Sequence, residues 1–308
     1  MNAINFERGP APDRLDACAV VNGLSVDVED WFQVGAFEDV IERDQWGSLD
    51  DRVERNVNAI LDLFDDAHAS ATFFTLGWVA ERHGPLLREI VKRGHEVASH
   101  GWDHERVFRM DRETFAADIE KTRKTIEDCC GVRVIGYRAP SFSIDQRTPW
   151  AFKELAAQGY LYSSSVAPVS HDHYGWADAP RFAFNPLPWH NLVELPVATA
   201  EFRGKRLAAG GGGFFRVLPY AFSRWAIRQL NRDEGRPAIF YFHPWEIDPG
   251  QPRVAGAPIK SRLRHYTNLD KMADKLRQLV EDFAWGRIDV IAHREAARLQ
   301  AEKEVERA

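Results

Sequence analysis

Four short stretches of this chain concentrate side chains that do hydrolytic chemistry. Ser25-Val-Asp27-Val-Glu29-Asp30-Trp31 sets three carboxylates within four residues, which repel one another unless a cation or a proton relieves them. His95-Glu-Val-Ala-Ser-His100-Gly-Trp-Asp-His104 carries two histidines four apart. That spacing puts two imidazoles on one face of a helical turn, the arrangement for a shared metal ion. Gly136-Tyr-Arg138-Ala-Pro140-Ser141 adds a cation, and Phe240-Tyr-Phe-His243-Pro-Trp245-Glu246 a further imidazole. Singly, each has a bland explanation: a solvated acidic loop, a chance His-x-x-x-His, an ordinary salt bridge, a hydrogen-bonded core histidine. Jointly, two neutral imidazoles and one carboxylate leave coordination positions open for water and substrate, which marks a catalytic rather than a structural metal site. A second carboxylate can take a proton from water, and a histidine on the opposite side can protonate a leaving group. Such a set hydrolyses an amide or an ester.

The elements that must position these groups alternate between strand and helix. Strands are expected at 23–28, 71–76, 95–99, 132–137, 160–163, 192–197 and 238–242, with a last one at Ile288-Asp-Val-Ile. Helices are expected at 52–66, 79–93, 111–130, 148–158, 219–232 and 268–285. Repeated strand–helix units indicate an α/β protein with a mainly parallel sheet, either a barrel or a doubly wound sheet. Both folds keep catalytic groups at the carboxyl ends of their strands, where all four stretches fall.

The 308 residues are 44% hydrophobic and 28% charged, enough apolar material for one large domain or two small ones. A net charge of −6 with no basic run demotes nucleic-acid binding. No stretch approaches the ~20 apolar residues of a membrane-spanning helix, and the N-terminus lacks the pattern of a secretory signal. Cys18, Cys129 and Cys130 make no disulfide framework, so a reducing, cytoplasmic setting is the expectation.

These motifs resemble those of the polysaccharide deacetylases of carbohydrate esterase family 4, and more narrowly the exosortase-associated (PEP-CTERM) subgroup. Ala71-Thr-Phe-Phe-Thr-Leu-Gly-Trp, Glu194-Leu-Pro-Val and the tail Arg262-Leu-Arg-His-Tyr-Thr-Asn-Leu-Asp extend the likeness over about residues 22 to 290. The resemblance implies an α/β fold of the distorted (β/α)7 barrel type and removal of N-acetyl groups from the amino sugars of a polysaccharide. It implies Asp27 as general base, Arg138 as the arginine that holds it, His243 as general acid, and His100 and His104 as metal ligands. The metal carboxylate is left open between Glu29 and Asp30, because the family's adjacent aspartates are replaced by Asp27-Val28-Glu29-Asp30. Zinc is the first expectation for the divalent metal, with Co²⁺, Ni²⁺ or Mn²⁺ as alternatives. Ser141 replaces part of a Pro-Tyr neighbourhood and is placed near the oxyanion by its backbone N–H. Trp31, Trp102 and Trp245 adjoin site motifs and are candidate walls for a sugar ring. The expected partner is an N-acetylated polysaccharide or a lipid-linked oligosaccharide, at the inner membrane face. The implied organisation is a lead-in at 1–20, one barrel at 21–293 with the subgroup's region from about 240, and a helical tail at 294–308. An allantoinase-like amidohydrolase and a non-catalytic carbohydrate-binding relative are the rival readings.

Other polar clusters are given structural readings. His68 and His83 are expected at the surface or at helix ends, and His171, His173 and His190 in substrate-side loops. His265 is expected to pack, and Cys129 and Cys130 to be buried and inert. Glu246 and Asp248 either orient His243 or cap the next turn. Gly210 to Gly213 lacks the Lys-Ser/Thr of a phosphate loop and reads as a flexible loop.

Overall fold

A computed structural model describes residues 20–170 and 174–307, so the lead-in, His171 and His173 lie outside the described residues. The first strand, β1 (Asn22–Val28), is buried at all seven positions. Burial on both faces is what a near-continuous apolar run in a parallel sheet predicts. β1 pairs in parallel with β2 (Thr72–Thr75) on one side and β9 (Ile239–Phe242) on the other. From β2 the sheet continues through β3 (Glu96–Ser99), β4 (Gly136–Tyr137) and β5 (Tyr162–Ser163) to β6 (Val193–Glu194), every pairing parallel. β10 (Trp285–Gly286) joins the foot of β1, giving eight strands in one sheet.

The gap between β6 and β9 closes only in part. The Ala198 N–H donates to the Ile239 carbonyl, and Gly211 bridges Tyr241. A Cβ on Gly211, whose φ is 113°, would collide with the Tyr241 carbonyl oxygen. The glycine run is therefore a close approach of two backbones rather than the flexible loop expected of it. The result is a distorted (β/α)7 barrel.

Helices α1 (Val53–Asp66), α4 (Arg112–Cys130), α5 (Ala151–Ala157), α7 (Tyr220–Arg228) and α9 (Met272–Asp282) lie within their expected ranges. In α4 the Asp111 side chain caps the first turn and Gly131, at φ 70°, ends the last. The helix expected over 79–93 is two, α2 (Gly77–Arg82) and α3 (Gly84–Lys92), because Pro85 cannot continue a helix but starts one well. A hairpin, β7 (Thr199–Phe202) with β8 (Lys205–Ala208), and two short helices, α6 (Gly212–Val217) and α8 (Ile259–Tyr266), complete the elements up to α9.

One expected strand is a helix. Ile288-Asp-Val-Ile opens α10 (Ile288–Arg307) instead of forming the last strand, a place taken by β10. Four apolar-rich residues fit either period, and long-range capping decides. Thr72 Oγ1 accepts the Ile288 N–H and Glu96 Oε2 accepts the Asp289 N–H, while Ile288, Ile291 and Ala292 pack at helical spacing against Phe74, Ile239 and Tyr162.

His95 gives the fold an acid-sensitive point. Its Nδ1 accepts the Ala71 N–H, its Nε2 is buried without a partner, and Phe64 and Phe73 pack on its ring. Burial lowers its pKa to about 4. The neutral form is favoured in the folded chain, so stability is full above the unfolded value of ~6.5 and declines as pH falls towards 4. Between pH 7.5 and pH 5 this one residue should remove about 2 kcal/mol. Urea unfolding of wild type and His95→Gln at both pH values should show a smaller acid loss in the variant; equal losses would contradict the assignment.

Candidate active site

The site is assembled at the carboxyl ends of the central strands. Ser25, Asp27 and Glu29 alternate along β1 and its exit. Arg138 follows β4 and is completely buried. Its Nη1 donates to Asp27 Oδ1 at 2.6 Å and to Ser25 Oγ at 2.7 Å, and its Nε and Nη2 donate to the carbonyl and hydroxyl oxygens of Ser164. The guanidinium lies over Phe74, 4.1 Å from the ring centre. A buried ion pair of this kind is costly to desolvate, and four hydrogen bonds from the guanidinium offset that cost.

Beside Asp27, Glu29, His100 and His104 place one ligand atom each within 4.8 Å of one another. They are brought together by a loop, not by the helical turn that their spacing suggested. His100 leaves β3 directly, Gly101 turns the chain at φ 75°, and His104 itself sits at φ 60°. Asp118 on α4 holds this loop by accepting the Trp102 N–H. His100 Nδ1 donates to the Arg138 carbonyl at 2.9 Å, which leaves Nε2 with its lone pair facing the group. Burial lowers the pKa of His100 to about 4 and that of His104 well below its usual value, so both rings are neutral, the form that binds metal. Burial pushes Glu29 up to about 7, and its Oε2 accepts no hydrogen bond although His104 Nε2 stands 3.1 Å away. An orphaned buried carboxylate oxygen between neutral imidazoles fits a divalent cation, and the nitrogen and oxygen donors fit zinc or another first-row ion.

Asp30 does not join this group. Its Oδ1 accepts the Trp31 N–H, and its Oδ2 accepts the Arg52 and Val53 N–H groups at the start of α1. It serves as a helix cap, and Glu29 is the carboxylate facing the histidines. Two of the tryptophans are corrected as well. Trp31 is buried, its indole donating to the Asp50 carbonyl. Trp245 is buried behind His243, stacked on it at 5.1 Å and on His265 at 4.1 Å, and its indole reaches Glu29 Oε1 at 3.3 Å. Trp102 is half-buried, beside Gly77 and with the Lys121 ammonium over its ring. Buried Trp31 and Trp245 have no open face for a sugar. Ser141, at φ 54°, lies in a turn after Pro140, and among the described residues no hydrogen bond ties it to the Glu29 group.

His243 faces Glu29 from β9, with Nε2 3.3 Å from Glu29 Oε1. Glu246 Oε2 accepts both the His243 Nδ1–H and its backbone N–H, so Glu246 orients the imidazole. Burial opposes the imidazolium, but the Glu29 and Glu246 carboxylates outweigh it and push His243 up to about 9. Arg216 fixes Glu246 through a 2.6 Å bond and also donates to the carbonyls of Arg264, His265 and Thr267 at the end of α8. A cation at a helix C-terminus satisfies carbonyls that no amide reaches. Asp248 instead accepts from Arg52 and Arg55, and His265 packs, its Nε2 donating to Gln251.

Sequence reasoning missed Ser25, Ser164, Glu194 and Arg216. Ser25 carries a signal in hindsight, two residues from Asp27 on the same strand face; Arg216 carries none. Two further histidines make other contacts: His83 pairs with Asp51, and His190 accepts the Leu192 N–H. Cys129 and Cys130 are half-buried free thiols whose pKa values burial raises, as inert thiols require.

Fold and site define a class, an α/β barrel with a hydrolase-type centre at the carboxyl ends of its strands. Residues 42–160 match the polysaccharide deacetylase family model. Residues 164–293 match a second model, a domain of unknown function, DUF3473. That region supplies β6, β9 and β10 to the same sheet. The chain is 26% identical over 175 residues to chitin deacetylase 1 of Cryptococcus neoformans, covering 52% of this chain and 35% of the relative. It is 30% identical over 113 residues to the peptidoglycan deacetylase of Helicobacter pylori, covering 37% of this chain and 38% of the relative. It therefore spans little more than a third of these relatives' lengths. Among solved structures, a Mycobacterium smegmatis protein assigned as a polysaccharide deacetylase matches with TM-score 0.57 at 22% identity, over 96% of both chains. PuuE allantoinase matches with TM-score 0.60 at 13% identity, over 94% of this chain and 97% of that one. Both likenesses show the fold.

Proposed function

We propose that this chain is a metal-dependent hydrolase that removes N-acetyl groups from the amino sugars of a bacterial exopolysaccharide. The observation that carries the reading is the neutral His100–His104 pair with Glu29, set between an arginine-held Asp27 and a carboxylate-held His243. The named activities of the curated relatives support it. Glu29, His100 and His104 would hold a divalent cation, zinc first, which would supply Lewis acidity at this point of the site. Asp27 takes the proton of the attacking water, and Arg138 keeps that carboxylate aimed through its 2.6 Å bond to Oδ1. His243, protonated through Glu29 and Glu246, gives its Nε2 proton to the departing sugar nitrogen as the C–N bond breaks. The products are acetate and a free amine.

The narrower reading places the chain in the exosortase-associated subgroup, with residues 21–293 as one catalytic unit. The DUF3473 match over the segment that contains His243 and the 262–270 motif supports it. A cytoplasmic site of action on a lipid-linked oligosaccharide is consistent with the free Cys129 and Cys130 thiols, and no helix among the described residues is long and apolar enough to cross a membrane.

Zinc-loaded protein incubated in parallel with N-acetylglucosamine oligomers and with allantoin tests the substrate class. Acetate from the oligomers and no turnover of allantoin is the expected outcome; the reverse would transfer the site to small cyclic amides. His243→Ala should lower acetate release by about 100-fold with zinc content unchanged, since the ring is not one of the three ligands. Equal loss of zinc and activity would remove its role as acid.

A further inference from the structure

Arg138 owes part of its aim to neutral groups. Nη1 meets the Asp27 carboxylate; the other edge of the guanidinium, Nε and Nη2, is held among the described residues by the carbonyl and hydroxyl of Ser164. Whatever fixes Ser164 therefore fixes Arg138. β5 ends one residue earlier, and the Ser164 N–H continues its ladder to the Tyr137 carbonyl of β4; the Ser164 carbonyl and the amides that follow are fixed by other bonds.

The turn after Ser164 is organised by Glu194 of β6. One oxygen, Oε1, accepts two successive backbone N–H groups, those of Ser165 and Val166, each at 2.8 Å. Two consecutive amides converging on one oxygen form a small anion-binding nest, which fixes the backbone direction at that point. Ser165 Oγ then accepts the Ala139 N–H and a bond from Ser163 Oγ, tying the residue after Arg138 to the same turn. Glu194 is fully buried, and among the described residues its Oε2 accepts no hydrogen bond of good geometry. A carboxyl kept there at that desolvation cost indicates a specific role. Burial pushes its pKa up to about 7.

We propose that Glu194 is a positioning residue for the reaction: by holding the Ser164–Val166 turn, it sets the guanidinium of Arg138 against Asp27. This rests on the deacetylase reading for its kinetic consequence, but not for its structural one. Among the described residues no hydrogen bond joins Glu194 to Asp27 or to the metal-ligand group; it acts on Arg138 through the Ser165 and Val166 amides that fix the turn after Ser164.

The test compares wild type, Glu194→Leu, Glu194→Gln and Ser165→Ala as zinc-loaded full-length proteins. Glu194→Leu should lower kcat by about 10- to 100-fold, the usual cost of losing a supporting hydrogen-bond partner, with KM within about twofold. Glu194→Gln keeps an acceptor oxygen at Oε1 and should recover most of the loss. Ser165→Ala is a small change that keeps the test alive should Glu194→Leu not fold; it should give a smaller loss of the same kind. A second readout does not depend on activity. The ¹⁵N–¹H signal of the Arg138 Nε–H, protected from exchange in wild type by its bond to Ser164, should broaden or lose protection in Glu194→Leu and persist in Glu194→Gln. A folded Glu194→Leu protein with wild-type kcat, or with an unchanged Arg138 signal, overturns the proposal. Wild-type protein that releases no acetate while the signal responds as described overturns the deacetylase reading instead.

Discussion

Asp27→Asn should reduce acetate release by about 1000-fold or more while zinc stays bound, because the amide cannot accept the proton of the attacking water. The same change should also lower stability. Arg138 is completely buried, and without the Asp27 charge its guanidinium becomes an uncompensated cation, which costs about 3–5 kcal/mol. The two effects separate in a double variant. Asp27→Asn with Arg138→Met removes both charges and should regain part of the lost stability, yet none of the activity. Urea midpoints and turnover measured on the single and double variants check this. An Asp27→Asn protein with near wild-type turnover would take the base role from Asp27.

His100→Ala should abolish metal retention. It removes one of three ligands and breaks the contact of that ring with the Arg138 carbonyl, so zinc should fall from about one per chain to near zero after dialysis. Turnover should fall with it. Asp30→Ala is the discriminating control. Asp30 accepts N–H groups at the start of α1 and faces away from the histidines, so this variant should keep its zinc and lose about 1–2 kcal/mol of stability. Elemental analysis with thermal denaturation decides between them. Zinc loss in Asp30→Ala with retention in a Glu29→Ala protein would reverse the assignment of the carboxylate.

The groups proposed for the chemistry are legible because α/β barrels expose strand ends, and each motif directly follows a strand of recognisable apolar character. Glu29 against Asp30 was not legible. The choice is made by the turn after β1, where the Glu29 N–H returns to the Asp27 carbonyl and Gln33 accepts the Asp30 N–H. The His100–His104 pair was found through a helical spacing that the chain does not use; two left-handed residues achieve the same meeting. Trp31 and Trp245 were misplaced because proximity in sequence to a site says nothing of which side of the wall a ring occupies. Ser164, Glu194 and Arg216 act through hydrogen bonds to residues up to about fifty positions away, which no local pattern encodes. The strand assigned to Ile288–Ile291 failed for the same reason, since Thr72 and Glu96 from distant strands cap a helix there.

The central claim is that one metal centre, held by Glu29, His100 and His104, is required for removal of acetyl groups. The most direct measurement follows zinc content and acetate release from N-acetylglucosamine oligomers in the same preparation, before chelation, after it, and after zinc is restored. Acetate release that disappears with the metal and returns with it is the predicted result. Protein that takes up no zinc, or that releases acetate equally well without it, would contradict the account.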